Sequence, residues 1–213
     1  MSELERLMAE LCLPTRNMRW NAKENESFLY IDLSSVDRFE HRIIEVQTIN
    51  SSNAPSRAQQ IVELNDVIFA TTRPTLQRFC SIPEEFDGQI CSTGFCVLRP
   101  NLEVVIPRYV YHHIGTSRFQ SYVEALQKGA SYPAITNSEV KAFRIPLPPV
   151  PVQREIVRIL DDFSKHSVAL MAELNAELIT RQKQYEFYRD MLLTFNRPEN
   201  IILTDGQASR FNG

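Results

Sequence analysis

No run of eighteen apolar residues occurs in the sequence, so nothing in it reads as a membrane-spanning helix. Six glycines scattered over 213 residues leave no G-x-G-x-x-G and no G-x-x-x-x-G-K-[ST], so no phosphate-cradling loop is present. G-x-S-x-G and H-E-x-x-H are missing too, as is the Pro-Pro-Tyr or Pro-Pro-Phe that adenine methyltransferases set beside a target base. Of the four cysteines, Cys12, Cys80, Cys91 and Cys96, none forms a C-x-x-C pair. Cys91 and Cys96 with His112 and His113 match no common zinc spacing, and strand-like neighbours such as Phe95 and Val97 favour buried free thiols. No cofactor and no metal is expected. The opening MSELERLMAELCLP carries acids and no small-residue cleavage site, unlike a secretory signal, so a cytoplasmic protein is expected.

Excess positive charge is lacking as well. With 23 basic and 26 acidic residues the net charge is −3, whereas nonspecific nucleic-acid binders are usually strongly basic. The balance is uneven, however. Between Val105 and Arg144 the basic residues are Arg108, Arg118, Lys128, Lys141 and Arg144, against only Glu124 and Glu139. A local patch, or partner subunits, can supply phosphate contacts that the whole chain does not.

What is present is an α+β pattern followed by one long helix. Ser2 to Cys12 reads as a short amphipathic helix, with Leu4, Leu7, Met8 and Leu11 on one side and Pro14 ending it. Short β-rich runs follow at Phe28–Val36, Ile43–Ile49, Val67–Thr72 and Phe95–Leu98, separated by turn residues at Asn53-Ala54-Pro55, Asn65-Asp66 and Asp87-Gly88. Ser56–Gln60 reads as one or two helical turns. Tyr109–Ile114 and Phe119–Leu126 read as helices, the second closed by Gly129. Residues 1–150 are therefore expected to form one β-rich α+β domain.

Ile145-Pro-Leu-Pro-Pro-Val-Pro151 is a stiff extended connector, because proline neither continues a helix nor donates to a sheet. From Val152 to Phe195 there is no glycine or proline. Ile156, Leu160, Phe163, Ser167, Leu170 and Leu174 follow a four-three rhythm. One extra four-residue step leads to Leu178, and the rhythm resumes through Arg181, Tyr185, Tyr188, Leu192 and Phe195. A helix is expected over 151–196, and its stretch from Val152 to Phe195 would run roughly 65 Å at about 1.5 Å per residue. A 150-residue domain cannot cover such a stripe alone, so the helix is expected to form an antiparallel coiled coil with a partner. Residues 197–213 read as a tail.

Three segments carry groups suited to recognition. Arg57, Gln59 and Gln60 lie on the short helical segment, Arg73 and Arg78 flank the Thr-Thr-Arg-Pro-Thr turn, and Lys128, Ser131 and Tyr132 share the loop Lys128-Gly-Ala-Ser-Tyr-Pro133. Arginine reads guanine bidentately, glutamine reads adenine, and lysine or hydroxyls hold phosphates. Local capping or solvated surface is the plainer reading of each residue alone. Glu139-Val-Lys141 matches the E-x-K half of a nuclease motif, but no suitable Pro-Asp precedes it.

The junction Ile145-Pro-Leu-Pro-Pro-Val-Pro-Val-Gln-Arg-Glu-Ile-Val-Arg-Ile-Leu-Asp161 resembles the boundary between target-recognition domain and conserved spacer helix in type I restriction-modification specificity subunits. Gln153, Ile156, Leu160 and Asp161 occupy the family's positions. Gly129-Ala-Ser-Tyr-Pro-Ala-Ile-Thr is similar to the family's G-x-x-x-P-x-I segment. Tyr30-Ile-Asp-Leu-Ser-Ser-Val-Asp, Pro55-Ser-Arg-Ala-Gln and Asp66-Val-Ile-Phe-Ala-Thr-Thr-Arg-Pro resemble blocks of such domains. The resemblance implies a subunit without catalysis of its own. It also implies double-stranded DNA, methyltransferase subunits and a motor-nuclease subunit as partners. The full-length form carries two domains and two helices; this chain holds one of each. A homodimer reading a split palindrome is thus expected, against the alternative of a fragment. Two readings from other classes stay open: a coiled-coil adaptor for proteins, and a small nuclease using Glu139 and Lys141.

Overall fold

The structure, a computed structural model, describes residues 5–22 and 26–194. The chain divides into two compact units, residues 1–161 and 162–213, each described by itself below. Ser2, Leu4, Phe195 and the expected tail over 197–213 lie outside the described residues.

In the first unit the chain runs β1 (Glu5–Leu7), α1 (Met8–Leu11), β2 (Cys12–Leu13), β3 (Arg16–Asn17), β4 (Phe28–Ile31), β5 (Gln47–Ile49) and β6 (Ala58–Ile61). It continues through β7 (Val67–Ala70), β8 (Phe79–Ser81), β9 (Ile90–Ser92) and β10 (Phe95–Pro100). Then come α2 (Pro107–Ile114), α3 (Ser117–Leu126), α4 (Asn137–Lys141), β11 (Arg144–Pro146) and the start of α5 (Val150–Thr194), whose residues from 162 on belong to the second unit. The strands form a two-stranded pair β1-β11, a four-stranded sheet β2-β10-β7-β8 and a five-stranded sheet β3-β6-β9-β4-β5, in which β4 and β9 run parallel.

The two larger sheets and the helices make three layers. In β7, Val67 and Phe69 join a core with the helices, while Ile68 and Ala70 join a core with the five-stranded sheet. In β10, Cys96 and Leu98 point to the first core and Phe95 and Val97 to the second. A strand covered on both faces needs apolar residues at every position, which explains the unbroken Val-Ile-Phe-Ala and Phe-Cys-Val-Leu runs. Phe119 anchors the helical layer, with T-shaped contacts to Phe69 and Phe143 at ring centroids 5.0 Å apart in each case. On the far face of the five-stranded sheet, Tyr30, Ile49, Ala58 and Ile90 pack with Trp20 and Phe28.

Strand replaces helix in two places. Of the helix expected over Ser2–Cys12, only Met8–Leu11 is helical among the described residues; Glu5–Leu7 pair antiparallel with Arg144–Pro146, and Met8 N donates to Phe143 O at 2.9 Å. A ladder partner for β11 outweighs one more helical turn. Ser56–Gln60 is likewise not helical: Ala58–Ile61 pair with β3 and β9. The period-two burial of Ala58 and Gln60 was concealed because one inward residue is a glutamine. α3 ends at Leu126 with Gln127 as its extended cap, so Gly129 shapes the following loop and does not close the helix.

The four cysteines are free. Burial pushes the Cys12 thiol up to about 11 and those of Cys80 and Cys96 up to about 12, and Cys91 is raised for the same reason. Among the described residues no three His, Cys, Asp or Glu side chains gather as a metal site, and no helix is long and apolar enough to cross a membrane.

Candidate nucleic-acid interface

The recognition residues divide into those that build the scaffold and those that the scaffold presents. Gln60 is only 8% exposed, and its Nε2 donates to Ser92 O and Phe95 O, both at 2.9 Å. Arg78 is similarly committed, donating from Nη1 to Leu33 O at 3.0 Å and Val36 O at 2.6 Å. Both were expected at a DNA surface. Both instead donate to backbone carbonyls, Gln60 from a buried amide and Arg78 from a half-buried guanidinium.

The other six are exposed. Arg57 and Gln59 lie at and beside β6, and Gln59 Nε2 donates to Ser56 O at 2.7 Å. Backbone hydrogen bonds join four loops into one row. Thr93 N donates to Arg57 O at 2.9 Å, Thr71 N to Gly94 O at 2.8 Å, and Arg73 N to Pro133 O at 2.7 Å. At Gly94 a Cβ would meet Leu33 Cδ1 at 3.1 Å, so any side chain there would have to shift Leu33.

Arg73 has φ 49°, a left-handed conformation that costs a non-glycine residue about 1–2 kcal/mol. The bond to Pro133 holds it there, and its guanidinium lies 4.7 Å from the centre of the Tyr132 ring. Gln77, at φ 50°, closes the same turn. Strained residues persist only where their surroundings over-determine them, and here they set an arginine at a loop tip. The facing loop is closed by reciprocal bonds between Lys128 and Ala134, each 2.9 Å. Gly129 turns this loop at φ 102°, where a Cβ would lie 3.0 Å from Tyr132 O. Ser131 and Tyr132 are thereby raised into solvent beside Arg73, and Lys128 pairs loosely with Glu139 Oε1 at 3.5 Å.

A groove of about 560 Å³ opens next to Arg57, lined also by Tyr30, Ser34, Glu45 and Gln47. Sequence reasoning missed Ser34 and Gln47. Each sits inside a run that reads as plain strand, and only the fold brings them to Arg57.

Glu139 has a structural task. Its Oε2 accepts from Thr136 N at 2.8 Å and Thr136 Oγ1 at 2.7 Å, completing a capping box for α4. The Thr136 hydroxyl and amide hold its carboxyl below the usual carboxylate range.

The junction residues bind the start of α5 to the domain. Gln153 is fully buried; its Oε1 accepts from Ile106 N at 3.0 Å, and Nε2 donates to Val104 O at 3.1 Å and Pro148 O at 2.8 Å. Val157 joins the helical-layer core with Ile156 packed against it. Asp161 accepts from Arg108 and lies 2.9 Å from His112 Nε2. Burial works against its charge, but these two hydrogen bonds hold its carboxyl below the ordinary value. The first compact unit runs to Asp161, so the first turns of α5 pack with residues 1–150. Ile156 is half-buried against that core, and Leu160 is exposed.

In the second unit, the expected stripe is bare. Phe163, Leu170, Leu174, Leu178, Tyr185, Tyr188 and Leu192 are all exposed, Leu170 at 56% and Leu174 at 55%.

A family model described as the type I restriction modification DNA specificity domain matches residues 21–180. The chain belongs to that family. It is 38% identical over 111 residues to the specificity subunit of the type I restriction enzyme EcoR124I/EcoR124II of Escherichia coli, covering 49% of this chain and 27% of that protein. To the HindI specificity subunit of Haemophilus influenzae it is 21% identical over 198 residues, 91% of this chain and 42% of the other. The crystal structure of the HsdS subunit from Thermoanaerobacter tengcongensis superimposes with a TM-score of 0.76 at 34% identity, over 97% of this chain and 53% of that one. The chain thus spans about half the length of its relatives, or less. The mixed α+β domain with a long C-terminal helix is the architecture of these structures.

Proposed function

We propose that the chain reads DNA sequence as the specificity subunit of a type I restriction-modification system and catalyses nothing itself. One observation carries the reading: the Arg57, Thr93 and Arg73–Tyr132 loops are tied by backbone bonds into a single row, presenting arginine, hydroxyl and aromatic groups together. Arg57 and Arg73 are the base readers, while Lys128, Ser131 and Gln59 contact phosphates. Residues 1–161 then act as the target-recognition domain and α5 as the spacer. Such a protein works in the cytoplasm, beside the DNA and the methyltransferase and motor-nuclease subunits it directs.

The bare stripe from Phe163 to Leu192 supports a second copy of this chain as partner, its helix antiparallel to the first. Twofold symmetry would pair identical domains, so the target is a split palindrome. At net charge −3 the isolated chain gathers few phosphate contacts and binds DNA weakly until methyltransferase subunits add theirs. Titration of labelled duplex at several salt concentrations, with and without those subunits, tests the reading. Site-specific binding that strengthens with the subunits is expected; no binding in either state would favour a protein adaptor. The nuclease reading has little support, because Glu139 is spent on its capping box.

A further inference from the structure

Away from the reading loops, a cleft of about 370 Å³ is lined by Arg118, Tyr122, Ala142, Phe143 and Arg144. Its floor is rigid. Tyr122 and Phe143 have ring centroids 5.1 Å apart, and Tyr122 Oη donates to Glu139 O at 2.8 Å. The Arg118 guanidinium lies 5.4 Å from the Phe143 ring centre and pairs with Glu5 Oε1 at 3.1 Å. A guanidinium carries five N–H donors, so one carboxylate oxygen leaves most of them free for a ligand. Arg144 is exposed on β11, and its side chain makes no ion pair or hydrogen bond among the described residues. Among the described residues no acidic side chain lines the cleft, Glu5 reaching only the Arg118 guanidinium.

We propose that this cleft is a clamp for the DNA phosphodiester backbone, flanking the base-reading loops; the proposal rests on DNA reading as the function. Two guanidinium groups over an aromatic floor suit an oxyanion, since arginine meets phosphate in a planar, bidentate geometry. Continuity with the reading loops selects DNA over other anions. Arg118 stands in the first turn of α3, and the chain leaving the helix's other end enters the Lys128–Tyr132 loop. The ten residues of α3 span about 15 Å, which is about four base-pair steps of duplex axis. One strand can therefore lie along α3 with its bases at Arg73 and its phosphates at Lys128 and the cleft. An acidic chain needs such a track, because its overall charge does not supply one.

The test uses the full chain in complex with its methyltransferase subunits. Binding constants for specific and nonspecific duplex are measured from 50 to 200 mM salt for wild type, Arg144→Ala and Arg118→Ala/Arg144→Ala. Each lost phosphate contact should flatten the slope of log K against log salt by about 0.9, which is about a 3.5-fold smaller response over that range. Both duplexes should weaken alike, leaving the specificity ratio unchanged. Arg144→Ala removes no internal bond, so an unchanged melting temperature is expected and separates binding from folding. Unchanged salt slopes in both variants would overturn the clamp while leaving DNA reading intact. Loss of methyltransferase-subunit binding at an unchanged slope would assign the cleft to a protein surface and also overturn it. A wild-type complex that binds no DNA would overturn the clamp and the proposed function together.

Discussion

Replacing Gln153 by alanine probes how the long helix is joined to the domain. The side chain is fully buried and makes three hydrogen bonds, to Ile106 N, Val104 O and Pro148 O. Truncation leaves one backbone donor and two acceptors unpaired. Each unpaired buried group costs about 1–3 kcal/mol, and the lower end applies because Val104, Ile106 and Pro148 are only half-buried and partly reachable by water. The loss is then about 3 kcal/mol. In a domain of this size, about 2–4 °C of melting temperature go with each kcal/mol, so a drop of about 6–12 °C follows. Gln153→Glu should be at least as severe, because it sets a carboxylate against the two carbonyls that Nε2 now satisfies. Circular dichroism melts at fixed protein concentration measure this directly. A loss below about 1 kcal/mol for Gln153→Ala would mean that water replaces the amide, and the junction would not be a lock.

Three further perturbations follow from the same geometry. Leu170→Asp places a charge in the middle of the bare stripe and should yield monomers in sedimentation velocity; a stable dimer would put the seam elsewhere. Arg73→Ala should reduce specific relative to nonspecific DNA binding by about 1–3 kcal/mol, and an unchanged ratio would make it a phosphate contact. Burial, with Arg118 and His112 nearby, lowers His113 from its ordinary 6.5 to about 4, so the unfolded chain binds a proton there that the folded chain refuses. Stability from this group is present above pH 6.5 and falls away as pH drops toward 4. His113→Gln should flatten the acid side of a stability–pH profile, and an unaltered slope would refute the assignment.

The helix was legible from its spacing because the four-three rhythm from Ile156 onward, with its single stutter, runs through a stretch free of glycine and proline. The helical layer was legible from the amphipathic runs that became α2 and α3. β6 and the N-terminal strand were not, because each pairs with residues distant in sequence, Ser92 and Cys91 in one case and Arg144–Pro146 in the other. The recognition residues divided for a similar reason. Nothing in Arg57, Gln60, Arg73 and Arg78 distinguishes a reader from a brace; that depends on which carbonyls lie within reach, and Gln60 and Arg78 found theirs. The junction's Gln153 and Asp161 stood out by their resemblance to the family, and only the structure gives them partners.

The most direct test is methylation sequencing of DNA from cells carrying this chain with the proposed methyltransferase subunits, against cells lacking the chain alone. Methylation is expected at one split palindromic site, two identical half-sites in inverted orientation around an unspecified spacer, present only with the chain. An asymmetric site would contradict the homodimer, and methylation independent of the chain would contradict its role as the sequence reader.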